Sequence, residues 1–392
     1  MRYIEFGQIL KESLKNGVTK PKNIRGAGVK MISMGEIFKY SRIQNVEMDR
    51  VPVTEKEIQN FGIHQHDLLF ARQSLVWEGA GKCSIIASCE VDTVFESHLI
   101  RARIDESIAN PYYVYYYFNS KHGRENIKTI VEQVAAAGIR GSDLIKLRIP
   151  LPEIQIQNKI VNILIHLDKK IDTNCKINDN LHQQAFAFFD QLLSEASDSN
   201  CQVSEIAYLN PKRSIKKDQV ARCIDMSQLS TSAAFPSGWE MKPFAGGMRF
   251  ANGDTLLARI TPCLENGKTA YIDFLDTDEI AFGSTEYIVL APKDGIPPEY
   301  LYCLARYPSF VEYAVKNMNG SSGRQRVSAD TIGQFVMPRP SDNALNNFGN
   351  VVSALFAQMR NNSFENIRLE ALRDALLPRL ISGEIDVSNV QI

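Results

Sequence analysis

The sequence lacks the long apolar runs and the cysteine patterns that mark membrane proteins and disulfide-rich proteins. None of its segments has about 18 or more consecutive uncharged apolar residues, so we expect no transmembrane helix. The opening segment, MRYIEFGQILKESLK, carries charges throughout, so we expect no secretory signal peptide. Seven cysteines form an odd set without C-x-x-C spacing. This pattern favours reduced, incidental thiols in a cytoplasmic protein.

A strong excess of positive charge is also absent, because the formal net charge is −1 over 392 residues. Proteins that hold nucleic acid alone are usually basic, since neutralisation of phosphates supplies much of their affinity. The balance leaves two alternatives. Either DNA is not a partner, or cations are clustered locally and other subunits supply further phosphate contacts. The length predicts two or three domains.

What the sequence does have is a long internal repeat. The segments DLLFARQSLVWEGAGK, from Asp67, and DTLLARITPCLENGK, from Asp254, share the pattern D-x-L-x-A-R followed by Gly-Lys. Their offset is 254 − 67 = 187 residues, and it becomes 188 from Pro150 and Pro338 onward, because the second copy has one inserted residue. Two copies with one insertion indicate a tandem duplication and not a solenoid.

Each copy begins with about 140 residues of mixed pattern and ends with a helical one. Short alternating strands, an aromatic helix that a proline opens, a Gly/Ser-rich loop and a proline-rich corner follow in the same order. Apolar residues then recur at spacings of three and four, which predicts long packed helices. We therefore predict an α+β fold with two similar mixed α/β domains at residues 1–151 and 197–340 and long helices at 152–196 and 341–392.

Asparagines occupy positions in the helical seam where leucine is expected. Asn174 and Asn178 belong to the first copy, and Asn362 and Asn366 are their counterparts in the second. A solvated face is one interpretation. We favour the other, in which the two helices pack antiparallel and these side chains hydrogen-bond across the seam to fix its register.

The order of domain, long helix, domain and long helix resembles the specificity subunit of type I restriction–modification systems. The resemblance rests on GSDLIKLRIPLPEIQIQNKIVNILIHLDKKIDTNCKINDNL (141–181), on NGVTKPKNIRGAGVKMISMGEI (16–37) and on LRDALLPRLISGEI (372–385). It covers essentially the whole chain. The second copy departs from the pattern, because MPRPSDNALNNFGNVV lacks the glutamine-lysine pair that follows the prolines in the first copy.

The resemblance implies a non-catalytic subunit that binds double-stranded DNA. Each domain would read one half of a bipartite site, and the helices would set the gap between the halves and dock the modification subunits. Two modification subunits would bring S-adenosylmethionine, and restriction subunits would bring ATP and Mg²⁺, so this chain itself would need no cofactor or metal. A cytoplasmic location without membrane contact is implied as well.

Candidate DNA contacts are side chains able to reach phosphates or base edges. They lie in basic clusters, in the Gly/Ser-rich loops and in the repeated motif. In the first copy they are Lys20, Lys22, Arg25, Lys30, Arg72, Arg140 and Ser142. In the second copy they are Lys212, Arg213, Lys216, Arg259, Ser321, Ser322, Arg324, Gln325 and Arg326. For Arg72 and Arg259, an ion pair at the edge of the core is an equally good interpretation.

Two other classes of function stay open at this level. A single-chain methyltransferase or nuclease is one. The segment Asn110–Tyr113 is similar to the (Asn/Asp)-Pro-Pro-(Tyr/Phe) motif of amino-methyltransferases, but it lacks the second proline, and no F-x-G-x-G cofactor loop accompanies it. A protein-binding adaptor is the other. Neither a Walker loop nor a zinc-type cysteine cluster is present in the sequence.

Overall fold

The chain folds into two units that repeat the same order of elements. The computed structural model describes residues 2–90, 92–133, 137–196, 199–321, 323–388 and 390. Unit 1 comprises Met1–Asp168 and Ala371–Ile392, and unit 2 comprises Lys169–Glu370. The predicted boundaries at residues 151, 196 and 340 stay a prediction, since each compact unit includes parts of both long helices.

Unit 1 combines short strands with short helices and parts of the two long ones. Its strands are β1 (Tyr3–Glu5), β2 (Lys15–Asn16), β3 (Val29–Ile32), β4 (Arg42–Ile43), β5 (Arg50–Val51), β6 (Leu68–Ala71), β7 (Gln73–Ser74), β8 (Cys83–Ile86), β9 (Val94–Phe95), β10 (Leu99–Ala102), β11 (Glu132–Gln133), β12 (Ala137–Gly138) and β13 (Arg148–Pro150). Its helices are α1 (Met34–Lys39), α2 (Glu55–Phe61), α3 (Pro111–Asn119), α4 (Lys121–Lys128), α5 (Gly141–Leu144) and the first part of α6 (Ile154–Ser194).

The strands of unit 1 form a central sheet in the order β2-β10-β6-β8-β4, with smaller sheets β5-β3-β9, β11-β12-β7 and β1-β13. In the central sheet β6 and β10 are antiparallel and Phe70 is paired with Ile100. The strand β6 is buried on both faces. Phe70 packs edge-on against Phe118 of α3, while Leu69 and Ala71 belong to a separate core cluster on the other side.

Unit 2 repeats this arrangement with its own strands and helices. Its strands are β14 (Asn200–Gln202), β15 (Ala207–Leu209), β16 (Val220–Ile224), β17 (Glu240–Pro243), β18 (Met248–Phe250), β19 (Thr255–Ala258), β20 (Thr269–Tyr271), β21 (Ala281–Gly283), β22 (Tyr287–Pro292) and β23 (Val336–Pro338). Its helices are the rest of α6, α7 (Val203–Ile206), α8 (Pro298–Ala305), α9 (Pro308–Lys316), α10 (Ala329–Gly333) and most of α11 (Asp342–Ser382).

The two units share one strand topology. The order β2-β10-β6-β8 in unit 1 matches β15-β22-β19-β20 in unit 2. A parallel pair recurs at the equivalent place in each unit, β3 with β9 and β16 with β21, and unit 1 has a further parallel pair, β4 with β8. The long helices begin 342 − 154 = 188 residues apart and end 382 − 194 = 188 residues apart. The predicted fold class is therefore confirmed, including its internal repeat.

The long helices α6 and α11 each contain 41 residues, which corresponds to about 60 Å at 1.5 Å per residue. In unit 1, Leu164 of α6 and Leu377 of α11 belong to one core cluster. In unit 2, Phe189 of α6 packs against Phe348 of α11 with their ring centroids 6.2 Å apart. Among the described residues, no helix is both long enough and apolar enough to cross a membrane.

Candidate nucleic-acid interface

The aspartate of the repeated motif closes the same turn in both units. The Oδ2 atom of Asp67 accepts a hydrogen bond from the backbone N–H of His64 at 2.7 Å. The Oδ2 atom of Asp254 accepts the equivalent bond from Ala251, also at 2.7 Å. Both aspartates are 1% exposed. The repeat of these residues is thus explained by folding, because each carboxylate satisfies a backbone donor just before the central strand.

Each motif aspartate also holds an arginine, although from different positions in the two copies. Asp67 accepts from Arg103 through Nε at 2.7 Å and Nη2 at 2.8 Å. Asp254 is paired with Arg213, whose Nη1 lies 2.6 Å from Oδ2. Burial raises the pKa of Asp254 to about 6, and the neighbouring Arg213 opposes that rise. Arg213, predicted as a DNA contact, is 17% exposed and engaged with a buried carboxylate.

The Gly-Lys pairs of the motif have the same role in both units. Gly81 and Gly267 have φ angles of 66° and 72°, in the left-handed region that favours glycine. The turn directs Lys82 Nζ to the carbonyl oxygen of Phe38 at 2.8 Å. Lys268 Nζ reaches the carbonyl oxygen of Met226 at 2.7 Å. The Gly-Lys pair therefore closes a loop and fixes a lysine beneath it.

The motif arginines connect this loop to the Gly/Ser-rich loop. The carbonyl of Arg72 accepts from the N–H of Ile139 at 2.9 Å, and that of Arg259 accepts from Val327 at 3.0 Å. The side chain of Arg72 is partly exposed and makes no ion pair within the described part of the chain. The hydrogen bond from Arg326 lowers the pKa of Glu286, and the positive charge of Arg259 adds a smaller effect. Like Arg72, Arg259 has no carboxylate within ion-pair distance among the described residues, so the prediction of a DNA contact stays open for both arginines.

In unit 2, the Gly/Ser-rich loop has one paired arginine and one accessible arginine. Arg326 binds the carboxylate of Glu286 through Nε at 2.9 Å and Nη2 at 2.7 Å. Arg324 and Ser321 are exposed, while Gln325 is partly buried. The candidate Ser322 lies outside the described residues. Arg324 and Ser321 remain available for contact with DNA in the predicted way.

In unit 1, the corresponding candidates follow β12. Arg140 is 68% exposed and forms an ion pair with Glu132, with 2.7 Å between Nη2 and Oε2. Ser142 is exposed on α5 and lines an open cleft of about 670 Å³ together with Glu12 and Asn16. An exposed ion pair of this kind is weak, so it does not prevent Arg140 from exchanging its carboxylate for a phosphate.

The basic cluster near the start of the chain is largely tied to carboxylates. Lys20 Nζ lies 2.9 Å from Glu57 Oε1, and Arg25 Nη1 lies 2.8 Å from Asp49 Oδ2. Their side chains are 14% and 19% exposed, respectively. Lys22, in contrast, is exposed. The cluster predicted from the sequence therefore presents fewer free cations than its composition indicates.

For Lys30, the expectation of a solvent-accessible cation is wrong. Its side chain is 5% exposed, and Nζ donates to Asn45 Oδ1 at 2.7 Å and to the carbonyl of Val46 at 3.1 Å. Nζ also lies 2.9 Å from the carboxylate of Glu90. The ammonium group is consumed by internal partners, as burial of a charge requires. In unit 2, Lys212 and Lys216 are both exposed.

The four seam asparagines come together within unit 2. Asn362 Nδ2 donates to Asn178 Oδ1 at 2.8 Å, and Asn174 Nδ2 donates to Asn366 Oδ1 at 2.9 Å. Asn174 is 0% exposed and Asn362 is 5% exposed. Residue numbers rise along one helix as they fall along the other, so the helices run antiparallel in this unit. The contacts follow the predicted pattern, and their effect on register stays a prediction.

Sequence reasoning missed a buried ionic cluster that joins the long helices in unit 1. Asp168 of α6 is 1% exposed and accepts a hydrogen bond from Tyr116 Oη at 2.6 Å. Arg373 Nη1 of α11 donates to Asp168 Oδ1 at 3.0 Å, and Arg42 Nε lies 3.6 Å from Asp168 Oδ2. The available signal was Asp168 itself, which directly follows Leu167 of the apolar seam. A charge buried at such a position needs partners.

Unit 2 has a different polar contact, between α6 and α8. His182 Nε2 lies 3.1 Å from Tyr302 Oη. Burial lowers the pKa of His182 to about 4, and the positive charge of Arg306 lowers it further. A neutral imidazole at this position is therefore part of the packing of α6 against α8.

Comparison with known proteins relates the chain to one family. The model of the type I restriction modification DNA specificity domain matches residues 8–183. The chain is 36% identical over 131 residues to the type I restriction enzyme EcoAI specificity subunit of Escherichia coli, a match that spans 32% of this chain and 22% of that relative. It is 23% identical over 381 residues to the HindI specificity subunit of Haemophilus influenzae, covering 75% of this chain and 83% of the relative.

A solved structure supports the fold independently. The crystal structure of the type I restriction–modification system S subunit from M. genitalium superposes with a TM-score of 0.55 at 16% identity. The superposition covers 97% of this chain and 95% of that one. At this identity the likeness shows a shared fold.

Proposed function

We propose that the chain is a DNA specificity subunit of a type I restriction–modification system and that it selects the DNA sequence on which a type I complex acts. Each unit would read one half of a bipartite site. The observation that carries this is the duplicated fold whose equivalent Gly/Ser-rich loops differ in sequence, AAAGIRGSD at 135–143 in the first copy and NGSSGRQRVSAD at 319–330 in the second. One scaffold with two different loop surfaces suits two different half-sites.

The proposed partners are double-stranded DNA, two modification subunits and restriction subunits, in the cytoplasm. The modification subunits would bind S-adenosylmethionine, and the restriction subunits would bind ATP and Mg²⁺. Partners that share the phosphate contacts would compensate for the net charge of −1 of this chain.

The segment that is similar to a methyltransferase motif has a structural role that supports a non-catalytic chain. The side chain of Asn110 accepts a hydrogen bond from the backbone N–H of Tyr112 at 2.9 Å and so caps α3. Its Nδ2 donates to Asn158 of α6 at 2.8 Å. An S-adenosylmethionine titration of the isolated chain tests the enzyme alternative, and measurable binding would overturn the present proposal.

Selection of DNA ligands is the direct test of the proposed function. The chain is assembled with its modification subunit and incubated with a library of random duplexes, and bound duplexes are recovered and sequenced. We expect enrichment of a motif with two specified halves and an unspecified gap. Failure to enrich a split motif would favour the protein-binding adaptor.

Exchange of one domain tests whether the halves are read separately. Residues 200–340 are replaced by the corresponding domain of another family member. We expect the half-site read by unit 2 to change and the other half to stay the same. A change in both halves would contradict modular reading.

The long helices are proposed to set the gap between the half-sites. Insertion of one heptad into both α6 and α11, at equivalent positions, adds about 10 Å to each helix at 1.5 Å per residue. Since base pairs are stacked about 3.4 Å apart, we expect the preferred gap to grow by roughly three base pairs. An assembled, DNA-binding variant with an unchanged gap would refute this role.

A further inference from the structure

The loop that follows the repeated motif presents an apolar residue at its tip in each unit. We define the motif loops as residues 72–82 and 259–268. Leu75 is 98% exposed, and Val76 beside it is 58% exposed. The second motif loop is one residue shorter than the first. Counted from the motif arginine, the residue at the place of Leu75 is Pro262 (75 − 72 = 262 − 259 = 3), and it is exposed as well. A leucine side chain left almost entirely in water contributes no burial to the core, so its apolar surface is available for contact with a partner.

The tips stand on loops that are braced from within. In unit 1, Arg124 of α4 donates to the carbonyl of Gly81 at 2.8 Å and to that of Glu78 at 2.7 Å. In unit 2, Arg306, which follows α8, donates to the carbonyl of Gly267 at 3.1 Å and to that of Thr231 at 2.6 Å. Backbone held at several points is preorganised for binding, because little conformational entropy remains to be lost.

In each unit, the loop is held by a lysine and an arginine that have no carboxylate partner among the described residues. Lys82 and Arg124 donate to backbone carbonyls, and neither forms an ion pair with a carboxylate in the described ranges of unit 1. Burial lowers the pKa of Lys82, and repulsion from Arg124 adds to the effect. Lys268 and Arg306 repeat the arrangement in unit 2, again without an ion pair among the described residues.

An apolar tip on a braced, cationic loop is suited to duplex DNA. Uncompensated cations attract the phosphate backbone, whose charge is spread along the groove edges. Apolar side chains, leucine and proline among them, are the residues that proteins insert between base steps to unstack them. A protein surface would match the apolar tip but would also have to supply carboxylates opposite both cations in both units.

We propose that Leu75 and Pro262 are apolar wedges, each of which enters one half-site and unstacks a base step. Arg72 and Arg259, at the start of the motif loops, contact phosphates of the DNA backbone next to that step. This inference rests on the proposed function and adds the residues through which each unit deforms its half-site. Specificity then arises in part from the ease with which a given base step unstacks.

The test uses the complex with modification subunits and a duplex that carries 2-aminopurine at successive steps of the half-site read by unit 1. With the unaltered chain, we expect fluorescence to rise at one step. With Leu75→Ala, we expect that signal to be lost and the affinity for the duplex to fall roughly tenfold, the scale for an apolar contact of a leucine. Because Leu75 is so exposed, this substitution leaves the fold intact.

Ile108→Ala is the matched control, since Ile108 is an exposed aliphatic residue of the same unit, at 40%. We expect it to bind and unstack DNA as the unaltered chain does. If Leu75→Ala keeps both the affinity and the fluorescence signal, or if it loses assembly with the modification subunit but not DNA binding, the wedge is refuted while the proposed function stands. If the unaltered complex selects no DNA sequence, the proposed function itself fails.

Discussion

From the buried cluster around Asp168 we predict how much stability the attachment of α11 to unit 1 loses when the charge of Asp168 is removed. Asp168→Asn keeps the size of the side chain but removes the charge that Arg373 and Tyr116 bind. Loss of one partner from a buried ion pair costs about 3–5 kcal/mol. Arg373 is 28% exposed and also contacts Asp374, so water and that carboxylate reduce the cost. We therefore expect a loss of roughly 3 kcal/mol, at the lower end of this range.

The assay is hydrogen exchange of α11 measured by mass spectrometry. A loss of roughly 3 kcal/mol corresponds to about a hundredfold faster exchange of peptides from the end of α11, if their exchange follows local opening of the helix. Arg379→Gln is the control, because Arg379 lies on the same helix and pairs with Glu384 at an exposed site, where both side chains are more than half exposed. Such pairs contribute about 0–1 kcal/mol. Equal exchange rates in the two variants would refute the reasoning.

Three further predictions concern unit 2. Asn178→Leu leaves a donor of Asn362 without its acceptor, so we expect the free energy of unfolding, measured by thermal unfolding, to fall by about 1–3 kcal/mol. The double variant Asn178→Leu/Asn362→Leu should recover part of this loss. A larger loss in the double variant would contradict the pairing. Because the pKa of His182 is lowered from 6.5 to about 4, the unfolded chain takes up a proton first as pH falls. Stability should therefore decline between about pH 6.5 and 4 by up to roughly 3 kcal/mol more than in His182→Gln, as measured by urea unfolding; parallel pH profiles would count against it. If exposed Lys216 contacts a phosphate, Lys216→Gln should reduce the slope of log affinity against log salt by about one, and an unchanged slope would exclude the contact.

The arrangement that the sequence predicts best is the one set by local periodicity. Long helices predicted at 152–196 and 341–392 are found at Ile154–Ser194 and Asp342–Ser382. Spacings of three and four residues are a property of each helix alone, so they can be read without knowing what the helix contacts. The contacts of the seam asparagines could also be predicted from the sequence, since a polar residue in the apolar seam of both copies needs a partner across it.

The exposure of the candidate DNA contacts could be predicted less well from the sequence, because it depends on tertiary partners. Lys30 is buried and forms an ion pair with Glu90, and Arg213 forms an ion pair with Asp254, 41 residues away in the sequence. Neither pairing leaves a signal in the local sequence. The repeated motif can be recognised in the sequence, but the exposure of Leu75 cannot, because an apolar residue beside Val76 and Trp77 gives no local sign of being exposed. Only the fold shows that Leu75 and Val76 are left in solvent.

Methylome sequencing of the host, with and without the gene for this chain, tests the account most directly. We predict that one bipartite motif, with two specified halves and a fixed gap, is methylated when the gene is present and loses its methylation when the gene is deleted. An unchanged methylome, or the loss of a single uninterrupted motif, would contradict the account.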